Sequence, residues 1–222
     1  MRWQVPQPTV RTLDGEALPV RRIFCIGKNY ADHVAEMGGD PKDTPPVFFT
    51  KPADAACQDA VIPFPQCTDD LHYEAELVAV LGGEGRDLPE ADAADLIAGY
   101  ACGCDLTRRD HQRAAKDAGG PWDLAKALDH GAVLGPVVLR GGVLAEGQLR
   151  LSLNGEVRQD ADLSLMIWSL PEIIARLSHV FALKPGDLVF TGTPAGVGPL
   201  APGYAVEITI ADLPPLRFTM GS

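Results

Sequence analysis

From Tyr73 to Leu81 the chain is apolar on both faces once past its first residues, which predicts a strand inside a sheet and not at its rim. Gly82-Gly83 closes it. Arg21 to Ile26, stopping at Gly27, and Ile97 to Cys104 are strand-like as well, and Val47 to Thr50 is extended between prolines. Further β segments are expected at Val133 to Leu139, Leu149 to Leu153, Asp187 to Thr191 and Ala205 to Ile210, the last taken as the final strand. Turn chemistry predicts hairpins around Asp14-Gly15, within residues 9 to 20, and at Asn154-Gly155. Helical spacing is rarer. Ala91 to Leu96 is short, and Thr107 to Asp117 is polar and ends at Gly119-Gly120-Pro121. Ser169-Leu-Pro-Glu172 reads as a capping box, with Ile173, Ile174, Leu177 and Phe181 following at helical intervals until Lys184-Pro-Gly. A further short helix, capped by Asn29 and ended by Gly38-Gly39, would carry Asp32, His33, Glu36 and Met37. The expected class is mainly β with short helices (α+β).

Composition narrows what such a chain does. Its 222 residues fit one catalytic domain over residues 21 to 222, preceded by a hairpin segment over residues 1 to 20. A formal charge of -11, with no Lys/Arg cluster longer than a pair, leaves no basic face for a phosphate backbone, so nucleic acid is not an expected partner. No run of 18 apolar residues is present and the amino terminus lacks the apolar core of a signal peptide, so no membrane partner and a cytoplasmic location are expected. Five cysteines without a CxxC pair indicate neither a disulfide framework nor a zinc ribbon; all five are expected to be small buried thiols.

Candidate chemistry begins with Glu74 and Glu76. Two apart in a strand, they point to one face, which continues with Val78 and Val80. Two carboxylates there repel and lose hydration, so one protonates or a cation sits between them, unless the strand end frays into water. Asp105 stands where an apolar strand meets a polar helix. It either joins these carboxylates as a third oxygen ligand, which would favour a hard ion such as Mg²⁺ or Mn²⁺ over zinc, or caps the helix. His33 and Glu36, three apart on a short helix, form either a base oriented by a carboxylate or an ordinary surface pair. Lys126 is expected at the surface. The loop from Thr191 to Gly198 offers backbone donors but fits no nucleotide-binding pattern.

Taken in order, Ile26-Gly-Lys-Asn-Tyr-Ala-Asp-His-Val-Ala-Glu36, Phe49-Thr-Lys-Pro52, His72-Tyr-Glu-Ala-Glu-Leu77, Gly99-Tyr through Gln112, Pro121-Trp through Lys126 and Phe190 to Gly198 resemble the fumarylacetoacetate hydrolase family, in particular its small acylpyruvate and fumarylpyruvate hydrolases. The resemblance implies a rolled mixed β-sheet like that family's C-terminal domain, assembled as a homodimer. It implies a Mg²⁺- or Mn²⁺-dependent hydrolase that splits a small diketo acid into pyruvate and a carboxylic acid; oxaloacetate decarboxylation, or a non-catalytic metabolite-binding homologue, is the alternative. It assigns Glu74, Glu76 and Asp105 to the metal, Lys126 and the His33/Glu36 dyad to catalysis, and Arg109, Gln112 and Thr193 to substrate contact. Lys28 and Ala127 stand where many relatives have arginine and glycine.

Overall fold

The computed structural model describes residues 3, 5–30, 42 and 45–222. The short helix expected around residues 32 to 37, with His33 and Glu36, lies outside the described residues.

Every position of Ala75–Leu81 is buried, so both of its faces need cover and it must lie inside a sheet. Asp187–Phe190 and Ile97–Asp105 flank it, both antiparallel. On one side the eight-stranded sheet continues through Arg22–Gly27, parallel to Asp187–Phe190, to Val47–Lys51. On the other it passes through Ala132–Leu134 to Ala56–Cys57, and Val138–Leu139 also pairs with Ile97–Asp105. The sheet is therefore mixed, and the fold is mainly β with short helices, as expected.

The alternation of a strand divides the interior into two cores. Leu77, Ala79 and Leu81 join Phe24, Ile26, Tyr100 and Cys102 in the larger one. A five-stranded sheet of Glu156–Asp162, Gln148–Leu153, Ala205–Ile210, Leu216–Met220 and Val61–Ile62 contributes to it, as does the helix Leu170–Val180. That helix starts with both halves of the capping box in place. Val78 and Val80 point the other way, into a smaller core with Ile23, Cys25, Ala101 and Phe190 that Val10 of the Thr9–Arg11/Ala17–Pro19 pair and Val20 just after it help to cover.

Four details differ from the sequence reading. The strand expected over Tyr73 to Leu81 breaks at Glu74; Leu71–Tyr73 joins a separate three-stranded sheet with Thr107–Arg108 and Gly198–Pro199. The strand expected over Val133 to Leu139 breaks at Gly135-Pro136, where proline has no N–H for the ladder. Ala205–Ile210 is not the final strand. Leu216, Phe218 and Met220 alternate with outward residues and add Leu216–Met220 beside it. Of the cysteines, four are buried and Cys67 is exposed, at a turn with φ 62°.

Asn29, expected to cap the helix that lies outside the described residues, is fully buried and makes several hydrogen bonds. Its amide nitrogen donates to Trp168 O and Thr191 O, its Oδ1 accepts from Trp168 N, and its backbone carbonyl accepts from Ile167 N. It thus ties the end of Arg22–Gly27 to the segment before the long helix and to the loop after Phe190. Gly192 packs on it: a Cβ there would lie 2.8 Å from the Asn29 Cβ, and φ is +91°. Asn29→Ala strands a buried amide and two carbonyls, so urea unfolding should show a loss of roughly 2–4 kcal/mol.

Candidate metal centre and active site

The edge of the smaller core is polar. Glu76 faces Gly103 across the antiparallel pair, and Asp105 ends the same neighbouring strand two residues on, opposite Glu74, whose carbonyl accepts from Asp105 N. Residues opposite and diagonal across a pair share one face, so register alone brings the three carboxylates together. Glu74 is not in a strand, contrary to expectation, yet its carboxylate reaches the same point. One oxygen from each of Glu74, Glu76 and Asp105 lies within 4.8 Å of the others, and all three residues are buried. Asp105 does not cap the following helix Arg109–Ala118, whose N-cap is Arg108 without a side-chain bond.

Buried carboxylates at this spacing need counter-charge. Lys126 supplies much of it. Far from the surface position expected of it, it is 2% exposed, and its Nζ donates to Glu74 Oε2 at 2.8 Å, Asp105 Oδ2 at 2.7 Å and Thr107 Oγ1 at 2.7 Å. Burial pulls the ammonium pKa down, but the Asp105 and Glu74 charges outweigh burial and hold it above its ordinary value. Arg109 donates to Glu74 Oε1 and to Gln112 Oε1. Burial would raise the Glu74 pKa; Lys126 and Arg109 overcome that and hold it at about 2.

Glu76 is the opposite case. Burial and then the charges of Asp105 and Glu74 push its pKa well above the carboxylate range, although Gly192 N donates to its Oε2 at 2.8 Å. Without a cation, burial and the neighbouring carboxylates favour the protonated form of this carboxyl. Asp105 Oδ1 is also unfinished: Lys51 Nζ stands 2.8 Å away, off the line that a hydrogen bond requires, so this buried oxygen has no hydrogen bond. Three oxygen donors, one proton held against its tendency and one bare oxygen fit a hard divalent cation.

A cavity of about 110 Å³ opens over this floor, lined by Glu74, Glu76, Arg109, Gln112, Lys126 and Thr193 among others. The structure thus gathers all of the sequence-derived candidates except His33 and Glu36, which lie outside the described residues. Arg109 and Gln112 are presented by one face of the Arg109–Ala118 helix.

Two supporting residues were not found from sequence. Lys51 is fully buried, donating to Leu106 O and Lys126 O; sharing a strand face with Phe49 was its only signal. Gln159, on the otherwise largely exposed Glu156–Asp162 strand, is 1% exposed. Its Oε1 accepts from Ala75 N, between the two glutamates, and its amide nitrogen donates to Thr193 Oγ1 and Pro194 O. One side chain therefore holds both the floor and the loop. The loop fits closely there, since a Cβ on Gly196 would lie 2.1 Å from Arg158 O.

The family profile described as fumarylacetoacetate (FAA) hydrolase C-terminal matches residues 22–220. The chain belongs to the fumarylacetoacetate hydrolase family. Among similar members, a fumarylpyruvate hydrolase from Pseudomonas aeruginosa, solved in complex with Mn²⁺ and pyruvate, is 39% identical with a TM-score of 0.92, covering 100% of this chain and 99% of that one. The mitochondrial oxaloacetate tautomerase of Mus musculus is 41% identical over 201 residues, 89% of this chain and 90% of that protein. A 5-carboxymethyl-2-hydroxymuconate delta-isomerase from Mycobacterium smegmatis is 37% identical with a TM-score of 0.83, covering 92% and 80% of the two chains. Family membership therefore spans hydrolase, tautomerase and isomerase names.

Two outcomes follow from the electrostatics. Lys126→Met leaves Glu74 and Asp105 without their shared ammonium, and the metal-free protein should lose about 3–5 kcal/mol in urea unfolding, with Mn²⁺ restoring part of it. Loading Mn²⁺ should release the Glu76 proton, because a ligand carboxylate must be ionised. Since that proton is held above the usual range, affinity should rise with pH and level off once metal-free Glu76 ionises. Calorimetry in buffers of different ionisation enthalpy reads the released proton; Glu76→Gln should abolish the release and weaken binding.

Proposed function

We propose that this protein is a divalent-metal-dependent hydrolase of a small acylpyruvate, cleaving a 2,4-diketo acid of the fumarylpyruvate type into pyruvate and a carboxylic acid. The observation that carries the reading is the buried Glu74/Glu76/Asp105 cluster beneath a small cavity shared with Arg109, Gln112 and Lys126. The similarity to a hydrolase crystallised with Mn²⁺ and pyruvate supports both the ion, Mn²⁺ or Mg²⁺, and the product.

A bound cation would supply Lewis-acid polarisation of the 2-keto acid end of the substrate. Glu74, Glu76 and Asp105 hold that ion. Arg109, Gln112 and Thr193 line the cavity and orient the substrate above it. His33, oriented by Glu36, takes a proton from water, and the hydroxide adds to the carbonyl distant from the carboxylate. The bond from that carbonyl carbon to the methylene then breaks, its electron pair leaving with the pyruvate fragment. Lys126, kept charged by its two carboxylates, offsets the developing negative charge until that fragment gains a proton. The dyad comes from sequence resemblance, and in this reading the protein acts as a homodimer.

Oxaloacetate is the second candidate substrate, favoured by the similarity to the mouse tautomerase. Keto–enol exchange uses the same chelated 2-keto acid and the same lysine but needs no attacking water.

The purified protein with Mn²⁺ should convert fumarylpyruvate or acetylpyruvate to pyruvate and the matching acid in equal amounts, with EDTA abolishing turnover. Enol loss from oxaloacetate without an acid product would replace the hydrolase reading with the tautomerase one, and carbon dioxide release would replace it with decarboxylation. His33→Ala should keep Mn²⁺ binding and lower acylpyruvate hydrolysis by about two orders of magnitude. Wild-type rates in that variant would mean that the water is not activated by His33.

A further inference from the structure

The charges around the cavity do not cancel. Three carboxylates, Glu74, Glu76 and Asp105, are met by three cations, with Arg109 on Glu74, Lys126 on Glu74 and Asp105, and Lys51 beside Asp105. Lys28 and Lys116 also line the cavity. Neither makes an ion pair among the described residues. A divalent cation on the floor adds two further positive charges. In a chain of net charge -11, this local excess of cations at one small opening is not background.

The two lysines reach the cavity from opposite elements. Lys28 follows Gly27 at the end of the Arg22–Gly27 strand, at φ 60°. Lys116 lies seven residues beyond Arg109, two helical turns along the same face of Arg109–Ala118. Trp122 adjoins both elements: a Cβ on Gly27 would sit 3.6 Å from its ring, and Lys116 Nζ lies 5.2 Å from the ring centroid. Burial and the charges of Arg109 and Lys28 lower the Lys116 pKa, so the cations feel one another across the opening.

We propose that Lys28 and Lys116 form the subsite that holds a carboxylate at the end of the substrate remote from its 2-keto acid, and so set the preference for a diacid over the matching monoacid. The proposal rests on the reading that the 2-keto acid end is held on the metal floor. Arg109 is turned toward the floor by Glu74 and Gln112, so among the described cavity-lining residues Lys28 and Lys116 are the cations without an ion pair that stand away from the floor. Phe49 and Trp122, packed ring against ring with centroids 5.7 Å apart, give the cavity an apolar wall along which an acyl chain can lie. The subsite discriminates by charge at the far end and not by acyl shape.

The test compares two unreactive 2-keto acids of equal chain length, 2-oxoheptanedioate and 2-oxoheptanoate, which differ only in a terminal carboxylate. Both are titrated calorimetrically into Mn²⁺-loaded protein. The wild type should bind the diacid about tenfold or more tightly, the scale of one charge-assisted hydrogen bond, and the preference should shrink as salt is raised. Lys28→Gln and Lys116→Gln should each reduce the preference, the double variant should abolish it, and Lys28→Arg should retain it. Monoacid affinity should stay within about twofold in all of them, since each variant leaves the floor intact. Equal wild-type affinities for the two acids, or a preference that survives the double variant, would overturn the subsite while leaving the proposed reaction standing. If neither acid binds the wild type, the chelation reading fails, and the subsite falls with it.

Discussion

Three carboxylates buried at the edge of a core are the condition to which the surrounding residues answer. Each ionised carboxylate removed from water costs several kcal/mol unless something positive stands beside it. Lys126, Arg109 and Lys51 meet that requirement from a short helix, a longer helix and a sheet strand, so elements distant in sequence are drawn to one point. The arrangement also pushes the pKa values of Glu74 and Glu76 in opposite directions despite their closeness: Glu74 has two cations against it, while Glu76 meets burial and the two other carboxylates. A buried carboxyl so placed is set to exchange a proton for an ion.

The fold supplies this geometry through register more than through loops. Glu76 and Asp105 stay together because their strands pair antiparallel, and Glu74 joins them because the chain leaves the sheet there. The apolar residues on the same face, Val78, Val80, Ala101 and Phe190, exclude water from one side of the carboxylates. That dry wall strengthens every charge interaction at the floor. The cavity side is then the direction from which an ion and an anionic ligand arrive.

Most strands were legible because period-two patterns survive in the sequence, and the carboxylate pair was legible because two-residue spacing means one face. Lys126 was not legible from its own neighbourhood. A lysine in Pro-Trp-Asp-Leu-Ala-Lys looks solvated until the carboxylates opposite it are known, and only family resemblance drew attention to it. The buried roles of Lys51, Asn29 and Gln159 were not legible for the same reason: each is a polar residue held by distant partners, Leu106 for Lys51, Ala75 for Gln159, and Trp168 and Thr191 for Asn29, which lie 55 to 162 residues away. The last strand, Leu216–Met220, carried an ordinary alternating signal and was simply passed over.

The grip of Gln159 on the loop after Phe190 bears on how relatives with this architecture can diverge. Its amide nitrogen holds the loop through one side chain and two carbonyls, Thr193 Oγ1, Pro194 O and Ala195 O, while its carbonyl is tied to Ala75 N between Glu74 and Glu76. An insertion or deletion between Thr191 and Gly198 would pull those acceptors out of step and disturb the backbone under the carboxylates. The exposed side chains of Ala195 and Val197 carry no such obligation. Drift in this loop should therefore take the form of side-chain replacement at constant length, with length polymorphism confined to segments that Gln159 does not hold.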